Sequence, residues 1–223
     1  MSIKLFIQAI TKFLLGVILI GLLIFWPANT INYWNGWLFM GLLFIPMFLA
    51  GIVMMIKSPE LLKKRLNAKE KENEQKDVIK LSGLMFLVGF IIAGLNYRYS
   101  WIILPNSVVM VASVLFILAY IIYAEVLREN QYLSRTIEVQ ENQKVVDTGL
   151  YGIVRHPMYS ATILLFLSMP LVLGSIISFI IFLVYPFIIA KRIKNEEEVL
   201  EKELEGYSEY KTKVRYKIIP FIW

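Results

Sequence analysis

Residues 156–190 read HPMYSATILLFLSMPLVLGSIISFIIFLVYPFIIA, 35 positions with no Asp, Glu, Lys or Arg and with His156 at the entrance. A single straight helix of that length would measure roughly 52 Å, against a bilayer hydrocarbon core of about 30 Å. That is too long for one ordinary crossing. Pro170 and the Leu173-Gly174-Ser175 step break the run into two pieces of about 16 residues, each roughly 24 Å long as helix. The stretch is therefore expected to be a short helical hairpin that dips into the membrane and returns. If so, the polar segments on its two sides emerge at the same surface.

The rest of the chain agrees with a membrane setting. Of its 223 residues 58% are hydrophobic and 18% charged, more apolar and less charged than a soluble domain of this size. Between Lys12 and Lys57 lie 44 residues without a charge, interrupted by Pro27, Asn29, Asn32, Asn35 and Gly36. Since a span needs about 20 residues, this window holds two, near Phe13 to Trp26 and Trp37 to Ile56. Leu81 to Tyr97 and Ser107 to Ala124 form a second pair, joined by the stretch with Arg98, Trp101 and Pro105. Tyr33, Trp34, Trp37, Tyr97, Tyr99 and Trp101 flank these turns as headgroup-level aromatics do. The expected fold is an all-α integral membrane protein in one domain, residues 1–223. Four transmembrane helices (1–127) precede a C-terminal part (128–223) with the short helical hairpin, five to six membrane segments in all, and a cytosolic C-terminal helix.

Charge gives the orientation. With a returning hairpin, 22 of the 23 basic residues fall on one side and only Arg98 on the other. Basic loops stay cytoplasmic, so both termini and the segments flanking the hairpin are expected there. A single crossing would strand the eight basic residues of the tail on the wrong side. The N-terminal apolar run is expected to remain as a true span, because Trp26-Pro27-Ala28 is a poor small-residue cleavage site. The Lys57 to Lys80 loop reads as a charge-mixed, helical cytoplasmic segment.

Several function classes drop out. Without cysteine, disulfides, thiolate metal sites, iron–sulfur clusters and cysteine nucleophiles are excluded, and one histidine makes no multi-histidine metal cage. The net charge of +6 sits in blocks rather than along a stripe, so nucleic acid is not an expected partner. The spans carry no ionisable groups, which disfavours an ion-coupled carrier. Neither GxGxxG nor GxxxxGK[ST] occurs, and Gly149-Leu150-Tyr151-Gly152 is too short for a dinucleotide fingerprint.

Two polar segments flank the hairpin. The first, Asp147-Thr148-Gly149-Leu150-Tyr151-Gly152-Ile153-Val154-Arg155-His156-Pro157-Met158-Tyr159, leads into it, with Pro157 suited to the first helical position. Arg155 and His156 then sit at a helix entrance that favours an anion, although headgroup anchoring is the blander reading. The second, Arg192-Ile193-Lys194-Asn195-Glu196-Glu197-Glu198, leaves it. Arg192 and Glu196 are four apart and share a helical face with Glu197 beside it, and a solvated charged face is the simple alternative.

Taken together, GLYGIVRHPMY, the apolar hairpin, NEEEVL and GYSEYKTKVRYKIIPFIW resemble the isoprenylcysteine carboxyl methyltransferase family, within a wider group that includes phospholipid methyltransferases. The resemblance runs from about Asn130 to the C-terminus; RHPxY alone is shared with some membrane sterol reductases. It implies S-adenosylmethionine as cofactor, bound at the cytosolic membrane face. Gly149, Tyr151, His156, Pro157, Tyr159 and Glu196 would bind it, Arg155, Arg192 and Glu197 would be catalytic, and Arg192 would sit near a substrate carboxylate. It further implies a lipid-like or prenylated small substrate and carboxyl O-methylation without a metal. Phospholipid amine N-methylation, an NADPH-dependent sterol-type reductase and a non-enzymatic membrane adaptor are the alternatives.

Overall fold

The computed structural model describes residues 3–66, 73–133, 137 and 139–223. Among them the regular elements are helical: α1 (Ile3–Ala28), α2 (Trp34–Lys57), α3 (Pro59–Leu66), α4 (Asn73–Tyr99), α5 (Asn106–Glu129), α6 (Pro157–Val172), α7 (Ile176–Phe182), α8 (Tyr185–Glu203) and α9 (Tyr207–Lys213). A 3-10 turn, Gly149–Gly152, precedes α6. In a medium without water every backbone polar group must be paired internally, and helices do this within one segment. Helices α1, α2, α4 and α5, together with the α7–α8 stretch Ile176–Glu203, are long and apolar enough to cross a bilayer. Part of the charged loop after α2 forms α3, and its residues 67–72 lie outside the described residues.

The hairpin is formed by α6 and α7–α8. Its break falls at Leu173 to Ser175, where Gly174 takes φ +74°, a left-handed conformation open to glycine. Ser175 then caps α7 by accepting the Ser178 N–H at 3.2 Å. Pro170 stays inside the last turn of α6 and is not the break. A second interruption, at Leu183 and Val184, separates α7 from α8. Pro186 at the start of α8 has no N–H to offer the preceding turn, so the helix cannot run through unbroken.

The tip of the hairpin reaches the far end of the bundle. Asn35 Nδ2 donates to the Val172 carbonyl at 3.1 Å and the Tyr33 hydroxyl to that of Leu173. Gly174 and Leu173 share a recess with Asn29, Thr30, Arg98 and Ser100, from the α1–α2 and α4–α5 turns. The hairpin thus traverses the bundle's depth, deeper than a dip. One of the flanking aromatics differs from the sequence reading: Tyr33 is buried and stacks on Tyr97 at 4.1 Å between ring centres, so it packs the tip and is not available to headgroups.

Close approaches at glycine hold the hairpin against α4. The Ser178 hydroxyl donates to the Gly89 carbonyl at 2.8 Å, and a Cβ at Gly89 would collide with Phe182. Phe182 in turn meets Phe86 and Phe90, and Phe90 meets Phe39, a ring cluster at the bundle centre. At Gly94 a Cβ would come within 2.5 Å of the Ile24 carbonyl oxygen on α1. Gly83, by contrast, faces open space. Gly94→Ala should therefore cost about 1–3 kcal/mol through overpacking of α1 on α4, while Gly83→Ala should stabilise by up to about 1 kcal/mol through helix propensity; thermal melting in detergent measures both.

Candidate active site

The site is built at the end of the bundle opposite the hairpin tip. Gly149 opens the 3-10 turn with φ +51°, and the Glu129 carboxylate packs so close that a Cβ would strike it. That carboxylate accepts the Leu150 N–H at 3.1 Å, which pins the turn to the end of α5. Asn130 Nδ2 donates to the Tyr151 hydroxyl at 2.9 Å, and the Tyr210 hydroxyl donates to the Tyr151 carbonyl at 2.7 Å. The chain then extends through Arg155 and His156 before Pro157 starts α6 at its first turn, as a residue without an N–H can.

Beside this extended link the C-terminal segment runs as a strap. The Arg155 N–H donates to the Tyr216 carbonyl at 2.9 Å and the His156 N–H to that of Lys217 at 2.8 Å. Arg155 Nη1 reaches the carbonyls of Val214 and Arg215 at 2.7 and 2.8 Å, and the Ser160 hydroxyl that of Ile218 at 2.6 Å. Five hydrogen bonds thus bind residues 214–218 to the RHP turn.

Glu197 joins α8 to both. Its Oε1 accepts from Arg155 Nε at 2.8 Å and lies 3.1 Å from His156 Nε2, and its Oε2 lies 3.0 Å from Lys217 Nζ. A carboxylate only accepts, so the proton between it and His156 belongs to the imidazole nitrogen. Glu197 is 4% exposed and Arg155 6%. A buried charge is tolerable only when paired in this way.

Glu196, the neighbouring residue on α8, points elsewhere. The Tyr159 hydroxyl donates to its Oε2 and accepts from Arg192 Nε at 2.8 Å, and His156 Nδ1 is 3.8 Å from its Oε1. Tyr159 therefore bridges Arg192 and Glu196, whose four-residue spacing puts them on one helical face. Glu197 and Arg192 are five apart and diverge by about 140° around α8. For that reason the arginine partner of Glu197 is Arg155.

These groups border an open cleft of about 840 Å³, its mouth included. Tyr151, Arg155, His156, Tyr159, Arg192 and Glu196 line it. Gly149, Pro157 and Glu197 stand behind the wall and shape it. Leu200, one turn beyond Glu196 on α8, lines it too, with Leu204, Tyr207 and Tyr210 beyond. Burial pushes the phenols of Tyr151, Tyr207 and Tyr210 well above their ordinary value, so all three stay neutral. Sequence reasoning did not single out Lys217, Tyr207, Tyr210, Asn130 or the strap carbonyls as site groups. The Tyr-x-x-Tyr pair was visible, but an extended tail folding back leaves no spacing signal.

Fold and site together define a multi-pass helical membrane protein with a charge-clamped cleft at one end of its bundle. Residues 108–202, from α5 through the RHP turn and hairpin to the acidic run, match the Isoprenylcysteine carboxyl methyltransferase (ICMT) family. The chain is also 28% identical over 91 residues to the Delta(14)-sterol reductase TM7SF2 of Mus musculus. That alignment covers 40% of this chain and 22% of the reductase, so the chain spans about a fifth of that relative's length.

Replacing Glu197 by Gln leaves Arg155 and Lys217 beside a neutral amide. The expected loss is about 3–5 kcal/mol of stability, the usual consequence of breaking a buried pair from one side. Glu196→Gln, at a partly open position, should melt close to wild type. Thermal unfolding of the two variants side by side checks the difference.

Proposed function

We propose that this protein is a membrane methyltransferase that uses S-adenosylmethionine to methylate the carboxylate of an isoprenylcysteine-like or other lipidic substrate. One observation carries this reading: the hairpin returns α8 to the RHP turn, so that Arg192, Tyr159 and Glu196 frame one cleft, backed by the clamped Glu197. The match of residues 108–202 to that family supports methyl transfer. The cleft's own chemistry fits the cofactor. The Glu196 carboxylate suits a cationic sulfonium or ammonium group, and the Leu200–Leu204–Tyr207 wall suits a flat base.

When bound, S-adenosylmethionine supplies an electrophilic methyl group. The protein's residues then have a short list of tasks. A carboxylate acceptor, with an ordinary pKa of about 3.5, is already ionised at neutral pH and calls for no general base. Its need is placement, and orientation alone can supply roughly 7–11 kcal/mol of a bimolecular barrier. Arg192 lines the cleft and can present its guanidinium fork to a carboxylate while Tyr159 fixes its orientation. Its hold must not be too strong, because the acceptor loses its charge as the ester forms and only contacts kept in the transition state speed turnover. Arg155, engaged with Glu197 and two strap carbonyls, acts as a positioning residue.

Amine N-methylation is the second reading. Glu196 favours it, as a carboxylate facing the cleft that can take the proton an amine must lose. The sterol reductase relative keeps a nicotinamide-dependent reduction as a third. In all three readings the site would face the cytoplasm, which the distribution of basic residues supports.

Purified protein given radiolabelled S-adenosylmethionine and a prenylcysteine analogue should yield a base-labile methyl ester. Label in phospholipid amines instead would transfer the reading to the second acceptor, and binding of NADPH without S-adenosylhomocysteine would end it. Arg192→Lys should lower ester formation about 100-fold with S-adenosylhomocysteine affinity retained, since misplacement of the acceptor has that order of effect. Single cysteines placed at Asn142 and at Lys202 in this cysteine-free chain should react with an impermeant maleimide only from the cytoplasmic side.

A further inference from the structure

Tyr207 opens α9 immediately after Gly206, whose φ of +81° turns the chain sharply off the end of α8. The turn folds its ring back into a small apolar cluster with Leu204, Tyr210 and Val214, against Leu200 and Val145. The residue is 4% exposed and its ring forms part of the cleft wall. Among the described residues its hydroxyl is the buried side-chain polar atom with no hydrogen-bond partner.

The other tyrosines of the cleft make the contrast. Tyr210 donates to the Tyr151 carbonyl, Tyr151 accepts from Asn130, Tyr132 donates to the Asn142 carbonyl, and Tyr159 bridges Arg192 and Glu196. Buried hydroxyls are nearly always paired, because leaving water without a partner costs stability. Phenylalanine would fill the same space without that cost. An orphan hydroxyl on the wall of an open cleft has a use only when something enters.

We propose that the Tyr207 hydroxyl is a specificity-determining donor of this cleft and reads an uncharged acceptor, a ribose hydroxyl or ring nitrogen, on the nucleoside part of its ligand. The nucleoside assignment rests on the proposed cofactor; the role as ligand donor rests on the geometry. Three features select the acceptor. Burial, reinforced by the nearby Glu197 and Glu196 charges, keeps the phenol protonated, so it donates. Those carboxylates repel an anionic acceptor, and a cationic group has no lone pair to offer. The apolar surface around the ring, Leu200, Leu204 and Val145, complements a flat base.

The test is Tyr207→Phe in the full-length protein, with calorimetric titration of S-adenosylhomocysteine and of adenosine, and thermal melting of the ligand-free protein. The variant should melt at or above the wild-type temperature and bind both ligands about tenfold more weakly, the effect of one lost hydrogen bond to a ligand. Tyr210→Phe, which breaks a bond made without ligand, should instead melt lower. Unchanged affinity for both ligands in Tyr207→Phe overturns the inference while leaving the methyl-donor reading intact. Weakened S-adenosylhomocysteine with unchanged adenosine also overturns it, by moving the contact to the amino-acid end. A lower melting temperature for Tyr207→Phe would show a structural hydroxyl and sink the proposal. Wild-type protein that binds neither ligand removes the cofactor reading and the nucleoside assignment together.

Discussion

The buried carboxylate of Glu197 is the interaction on which the site depends. It draws together three parts of the chain that are far apart in sequence: α8, the RHP turn and the C-terminal strap. Burial of a lone carboxylate is prohibitive, so the three are stable there only together. Arg155 extends the same logic into the backbone, since its guanidinium also satisfies the Val214 and Arg215 carbonyls. One charge cluster thereby fixes the C-terminal segment behind the cleft.

The membrane imposes the second constraint. A hairpin crossing hydrocarbon must return its ends to one surface, and its tip needs partners for the carbonyls freed at the break. Tyr33 and Asn35 supply them at Leu173 and Val172, and the Ser175 cap of α7 completes the turn. With the tip locked at one end and Glu197 at the other, α6 and α8 are fixed in register. That register lets Tyr159 on α6 bridge two residues of α8, leaving Arg192 and Glu196 both on the cleft while their charges are held in place.

Division of labour between adjacent glutamates follows from helix geometry. Glu196 and Glu197 are separated by about 100° around α8, so one faces the cleft and the other the protein interior. The same residue type thus serves two ends: an accessible negative charge for a ligand and a hidden one for assembly. Gly149 shows a similar division at the opposite wall, where its value lies in its backbone conformation and its fit against Glu129, away from the cleft itself.

Charge-free windows, turn residues and the spacing of basic blocks were enough, in the sequence alone, to give the four spans, the returning hairpin and the emergence of RHPMY and the acidic run at one surface, while their convergence on one site was what the family resemblance implied. Those features depend on length and local chemistry: a run of 35 uncharged residues has few ways to satisfy a 30 Å slab. The Arg192–Glu196 face was legible too, because helical spacing is a local property. Partner choice belonged to the tertiary structure. Glu197 pairs with Arg155 from 42 positions away, Lys217 closes on it from the tail, Tyr33 is buried against the hairpin tip, and Tyr207 keeps its hydroxyl unpaired. Such pairings are set by which surfaces meet once the bundle has closed, and no periodicity along the chain records that meeting.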